Sequence, residues 1–315
     1  MSLGGSSSSM VGLGLGTAAA WGAADFAGGL ATKRAAPAFV VAVAHGFSLL
    51  LLYLVAVAVH APSFWNFYGF LSGVFCGGGL IALYAALSRG SMGLSAALSG
   101  VIAAVFPVVY SWLREGHPTP RRLAGFAIAA VAIWMVAYVP DRKSSSETDS
   151  SGTPASRFTT EDTESTEGAA ARSRGLGLAV LAGLSFGAML ILMNLASAQG
   201  ILWPLIDLRI ASSGVGLLAG ISYWLTRRRK ADAALGFPTG KLLLLALVAG
   251  VLDTSGNLIY FFASQVGRLD VTAVLASLYP ASTMLLAAWV LKERATRSQV
   301  LGMVLALGAV VLIAI

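Results

Sequence analysis

The chain has 315 residues, 57% of them hydrophobic and 11% charged, with a mean hydropathy of +0.79 and a formal charge of +7. A water-soluble domain carries about a quarter of its residues charged, so this composition excludes a soluble enzyme. The cations sit in short clusters between apolar runs, which reads as membrane topology signals and not as a nucleic-acid patch.

Apolar runs of helical length, cut where Gly, Pro and cationic residues cluster, predict ten membrane helices, over 10–31, 37–59, 65–88, 92–113, 121–139, 175–198, 202–225, 240–264, 271–291 and 297–315. Backbone groups in hydrocarbon must find partners internally, and the period-2 alternation of a membrane barrel is absent, so the runs are helices. The first run has no Lys or Arg before Lys33 and carries Trp21 and Asp25, which speaks for a retained helix and against a cleaved signal peptide. Cys76, the single cysteine, excludes a disulfide framework and a Cys-based zinc or iron–sulfur site within one chain, and in its apolar run it reads as small filler.

Between the fifth and sixth runs the pattern breaks. Residues 141–174 hold seven of the fourteen acidic residues and only one aromatic, Phe158. Such a segment cannot bury a core and is expected to be a disordered linker between two units, 10–140 and 175–315.

The second unit resembles the first. A shift of 178 aligns Glu115 with Glu293 and Ser99 with Ser277; 176 aligns Tyr84 with Tyr260 and Ser88 with Ser264; 165 aligns Gly12 with Gly177 and Gly22 with Gly187. Each unit has an odd number of spans, so the second enters the membrane in the opposite sense. The expected fold class is therefore an all-α integral membrane protein, ten transmembrane helices arranged as two inverted-topology five-helix repeats. Sixteen Lys and Arg fall in the connections 1–2, 3–4, 5–6, 7–8 and 9–10, against four in the other connections. The positive-inside rule then puts both termini outside and the acidic linker in the cytoplasm.

Ionisable groups at membrane depth are costly and call for a partner or a water-filled cavity. Asp25, His45, Asp207, Arg209 and Asp253 qualify. In helix 8, Asp253, Asn257, Tyr260 and Ser264 follow spacings of 4, 3 and 4 and form one polar stripe, which should face protein or water. The matching positions of helix 3 are Gly77, Ile81, Tyr84 and Ser88, so any cavity between the units should be asymmetric. Asp253 reads as a proton acceptor or an amine-binding carboxylate, or else as a structural partner of Arg209. Arg209 reads as an ion pair with Asp25 or Asp253, or as a fork for a substrate carboxylate. His45 is a proton relay or a packing residue. Asp207 is expected to snorkel near Trp203 at the interface. Trp21, one turn before Asp25, can share its face and suits an organic cation through cation–π contact. Tyr279-Pro280 interrupts helix 9 and permits a kink there. Glu115 and Glu293 read as structural pairs at the membrane boundary.

Several motifs carry a resemblance. Glu115-Gly116 leading through Arg121-Arg122-Leu123-Ala124-Gly125, then Ser277-Leu278-Tyr279-Pro280, Leu291-Lys292-Glu293-Arg294 and Leu301-Gly302, resemble the EamA-type repeat of the drug/metabolite transporter superfamily. Trp21-Gly22-Ala23-Ala24-Asp25-Phe26 is similar to that family's Trp-Gly signature in its first helix; the first unit departs by carrying Ile102 where the second has Pro280. The resemblance implies a central cavity and the movement of small metabolites, often outward, without ATP. The expected function is thus a secondary transporter, an exporter, of an amino acid or amine by alternating access, driven by proton exchange or working as facilitated movement. The expected substrate-binding residues are Trp21, Asp25, His45, Tyr84, Arg209, Asp253, Asn257, Tyr260 and Tyr279. No catalytic residue, metal or other cofactor is expected. The partners are the lipid bilayer, a small molecule and protons, without nucleic acid, in a monomer or homodimer at the plasma membrane. The alternative class is a non-transporting scaffold or receptor, whose helix-8 stripe would be filled by interhelical bonds.

Overall fold

A computed structural model describes residues 7–87, 92–137, 161–228, 240–290, 292 and 296–314, and every regular element among them is an α-helix. In chain order these are α1 (Ser7–Thr32), α2 (Pro37–Ala58), α3 (Phe67–Leu87), α4 (Met92–Glu115), α5 (Pro120–Ala137), α6 (Glu161–Ser197), α7 (Leu202–Arg228), α8 (Gly240–Val266), α9 (Leu269–Ala276), α10 (Tyr279–Val290) and α11 (Arg297–Ala314). Among the described residues, six stretches are long and apolar enough to cross a membrane: Pro37–Ala58, Phe67–Leu87, Gly175–Ser197, Leu202–Thr226, Gly240–Val266, and Leu269–Val290, which joins α9 to α10. Large apolar side chains such as Leu54, Leu218, Leu244 and Trp289 are exposed on the outside of the bundle, as lipid contact requires. The chain is a multi-pass membrane protein.

Local sequence sets the helix ends. Pro37 opens α2 and Pro120 opens α5, where a missing N–H costs nothing. Gly116 ends α4 with φ +85 and Gly200 follows α6 with φ +124, conformations that side chains resist. The span expected at 271–291 is two helices, because the chain turns at Ser277 and Leu278 and restarts at Tyr279-Pro280. Proline has no N–H to carry α9 onward but fits the first turn of α10.

The segment 141–174, expected to be disordered throughout, is helical from Glu161 onward, since α6 begins there and not at 175. Once the membrane part of α6 is formed, extension costs no new nucleation. Residues 141–160 of the linker, together with Ser88 and Glu293, lie outside the described residues.

Packing follows small residues. α3 meets α7 along Gly69, Gly73 and Gly77: a Cβ at Gly73 would strike the Leu208 carbonyl, and one at Gly77 would come within 2.9 Å of the Ser212 carbonyl. α8 meets α2 in the same manner, with Gly250 against the Ala44 carbonyl. The principal neighbours are α1 with α8, α9 and α10; α3 with α6 and α7; α4 with α6; α2 with α7 and α8; and α5 with α11.

One end of the bundle is tied by polar contacts between connections. Asn66 caps α3 through its side chain to the Gly69 N–H at 2.7 Å and holds the Gln199 side chain at 3.1 Å. Its own backbone N–H donates to Asp207 at 2.8 Å. Asp207 therefore does not snorkel to the interface as expected: it is 3% exposed and anchors the start of α3. At the same end Gln265 donates to the Ser197 carbonyl at 2.9 Å, and Arg268 donates to the Gly116 carbonyl at 3.0 Å while pairing with buried Asp270.

Candidate functional site

The polar stripe of α8 points inward and meets a different helix at each turn. Asp253 pairs with Arg209 of α7, Nη2 to Oδ2 at 2.7 Å, and lies against His45 of α2, Nε2 to the same oxygen at 3.3 Å. Arg209 is 0% exposed, and a buried guanidinium without a counter-charge would be strongly destabilising, so this contact ties α2, α7 and α8 together. One turn further on, Asn257 Oδ1 accepts the Trp21 indole N–H of α1 at 2.9 Å. Trp21 also stacks on Tyr260, ring centroids 5.7 Å apart, and the Tyr260 hydroxyl donates to the Leu190 carbonyl of α6 at 3.3 Å.

The broken span contributes from the other side. Tyr279 shares a hydrogen bond with Ser99 of α4 at 3.1 Å, hydroxyl to hydroxyl. Thr283 donates to the Gly22 carbonyl at 3.0 Å, and Gly22 lets α1 lie directly on α10, since a Cβ there would sit 2.6 Å from the Tyr279 carbonyl.

Between these elements lies a partly open cavity lined by Trp21, Asp25, Cys76, Leu80, Ala103, Phe186, Met189, Leu190, Asp253, Ser277 and Tyr279. Of the residues expected to bind substrate, Trp21, Asp25, Asp253 and Tyr279 stand on its wall. His45, Arg209, Asn257 and Tyr260 stand behind that wall, holding Asp253 and Trp21 in place. Tyr84 is buried with its hydroxyl against Gly28 of α1 and is not among the lining residues.

The wall also contains residues that sequence reading passed over: Cys76, Leu80, Ala103, Phe186, Met189, Leu190 and Ser277. A signal for two of them was present. The shift of 165 that matches Gly22 with Gly187 also matches Trp21 with Phe186 and Asp25 with Leu190. Polarity, used as the sole guide to the site, hid the apolar partners.

This arrangement is chemically amphipathic. Two carboxylates, Asp25 and Asp253, stand on a wall made mostly of aromatic and aliphatic side chains, and Arg209 pairs with Asp253 from behind it. The excess of acidic groups favours a cation, and the Trp21 ring offers a face to it.

Comparison with known proteins agrees with this architecture. An uncharacterised protein of Methanocaldococcus jannaschii is 33% identical over 75 residues, 24% of this chain and 55% of that protein, so the chain spans about half the length of this relative. A protein of known crystal structure shares the fold at a TM-score of 0.70 and 13% identity, covering 98% of this chain and 96% of that one. Residues 173–315 match the model of the EamA-like transporter family, in agreement with the resemblance read from the motifs of the last two spans.

Proposed function

We propose that the chain is a secondary transporter that exports a small amphipathic amine or amino acid in exchange for protons, by alternating access of two inverted five-helix units. The observation that carries this reading is the two-sided cavity. Trp21, Asp25, Asp253 and Tyr279 offer charge and aromatic faces, and Leu80, Phe186, Met189 and Leu190 offer an apolar surface. An ammonium group on an apolar body satisfies both sides at once.

The helix neighbours support the repeat. Exchanging α1–α5 for α6, α7, α8, α9 with α10, and α11 turns the pair α1–α8 into α6–α3, α2–α8 into α7–α3, and α1–α10 into α6–α4, while α2–α7 and α5–α11 map onto themselves. Contacts that survive such an exchange are what a two-fold related pair of units produces, and with an odd number of spans per unit the second runs inverted. The bonds of Asn66, Asp207, Gln265 and Arg268 seal one end of the bundle, which fits a state closed toward that face. The cationic loops give the sealed end as the outside. A scaffold reading has less support, because the stripe of α8 is hydrogen-bonded yet still borders a cavity through Asp253.

The test begins with an untargeted comparison of metabolites outside cells with and without overexpression. The amine found is then assayed for uptake into proteoliposomes under an imposed pH gradient. The expected result is gradient-driven uptake by the wild type that Asp25→Asn removes at an unchanged melting midpoint. Transport indifferent to the gradient, and intact in Asp25→Asn, would refute proton exchange through this carboxylate. No transported compound at all would leave the scaffold reading standing.

A further inference from the structure

At the charged wall, Cys76 and Asp253 stand on the cavity surface with His45 behind them, a group whose combined chemistry the transport reading does not use. His45 of α2, Cys76 of α3 and Asp253 of α8 each bring one ligand atom to a common point, the three atoms lying within 4.8 Å of one another. We propose that these residues form a binding site for one borderline-soft divalent transition-metal ion, of the chemistry of Zn2+ or Co2+, at the cation end of the cavity.

The donor set selects this class of ion. A thiolate sulfur, an imidazole nitrogen and a carboxylate oxygen suit zinc and cobalt, whereas magnesium and calcium take oxygen ligands alone. Tetrahedral ligands at ordinary zinc bond lengths stand about 3.5 Å apart. His45 Nε2 lies 3.3 Å from Asp253 Oδ2, the oxygen that also holds Arg209, so binding requires the carboxylate to turn Oδ1 toward the ion and the group to contract by on the order of one ångström through side-chain rotation.

A second observation points the same way. His45 is 1% exposed, and its Nδ1 has no hydrogen-bond partner among the described residues, an unsatisfied nitrogen that a ring turn would bring to the ion. One thiol cannot make a Cys-based zinc site, but a mixed site with histidine and carboxylate needs only one.

Arg209, 2.7 Å from Asp253 Oδ2, does not prevent binding. A carboxylate has two oxygens, so Asp253 can keep the guanidinium on one and give the other to the ion. Charge also balances: Asp25, Asp253 and the Cys76 thiolate carry three negative charges against Arg209 and a divalent ion. The thiol proton leaves to solvent on binding. Three protein ligands leave a fourth position, and because Cys76 and Asp253 line the cavity that position faces it. The inference shares its site with the transport reading but does not need transport to be correct. An ion there occupies the place of the amine, so Zn2+ should inhibit uptake.

The experiment uses the full chain purified in detergent, stripped with EDTA and titrated with Co2+ and Zn2+ while transport is not measured. The expected result is one ion per chain and a thiolate-to-cobalt charge-transfer absorption. Cys76→Ser should abolish the band, and Cys76→Ser and His45→Gln should each weaken Zn2+ binding about tenfold or more. The metal-free melting midpoint of Cys76→Ser should equal that of the wild type, which separates ligand loss from misfolding. Absence of a stoichiometric ion, cobalt bound without the thiolate band, or Zn2+ affinity unchanged in a normally folded Cys76→Ser would each overturn the proposal. None of these outcomes bears on whether the metal-free protein transports an amine.

Discussion

The two sides of the cavity, which the proposed repeat would build from corresponding helices, carry opposite chemistry. α1 and α8 bring Trp21, Asp25 and Asp253 to the wall; α6 and α3 bring Phe186, Leu190, Cys76 and Leu80. The shift of 165 places Phe186 at the position of Trp21 and Leu190 at that of Asp25. Packing is shared between the sides: Gly73 on α3 and Gly250 on α8 each press a helix against a carbonyl of its neighbour. Charge is not shared. The lesson is that close helix packing sets the backbone frame twice over, and a few substitutions on one side then supply the chemistry.

That contrast can be broken by mutation. The largest effect is expected at Asp253→Ala, which strands buried Arg209 without its partner and should cost about 3 to 5 kcal/mol in thermal or denaturant unfolding. Asp253→Leu combined with Arg209→Leu should recover most of that loss. Cys76→Ala in the other wall removes no charge and should stay within about 1.5 kcal/mol of the wild type. Equal losses at Asp253 and Cys76 would erase the distinction between the sides.

Next come the shared glycines. Gly73→Ala and Gly250→Ala both force a methyl group onto a backbone carbonyl, and each should cost about 1 to 3 kcal/mol. Gly29→Ala meets nothing within 4 Å and serves as the control. A large loss at only one of the two glycines would mean that the sides differ in packing as well as in charge.

Smaller effects test the polar wall itself. Trp21→Phe keeps the aromatic stack but leaves Asn257 Oδ1 without its donor, costing about 1 to 3 kcal/mol. Tyr279→Phe removes the bond to Ser99 across the broken span, for about 0.5 to 1.5 kcal/mol. Melting midpoints in detergent read both.

Much of the fold was legible in the sequence, and for a physical reason. Hydrocarbon demands long apolar helices, so their positions are written in composition, and the break at Tyr279-Pro280 follows from a missing N–H. The inward direction of the α8 stripe was legible for the same reason, since Asp253 and Asn257 could not face lipid. Partner choice was not. Nothing in the spacing separated Asp25 from Asp253 as the partner of Arg209, or told that Asp207 anchors Asn66 instead of reaching the interface, because both depend on how distant helices meet. The apolar wall and Cys76 were missed since hydrophobic residues in a membrane helix look alike whether they face lipid, protein or a cavity. The start of α6 at Glu161 was missed because composition reports what cannot form a core, not what a neighbouring helix can extend.

The central claim is a hydrated pocket that opens to each side of the membrane in turn. Ser277→Cys, placed on the cavity wall in a Cys76→Ala background, tests it most directly in sealed vesicles exposed to a membrane-impermeant thiol reagent. Labelling from either face, slowed from both by the transported amine, is the predicted result. A thiol that resists the reagent from both faces, with and without the amine, would contradict the account.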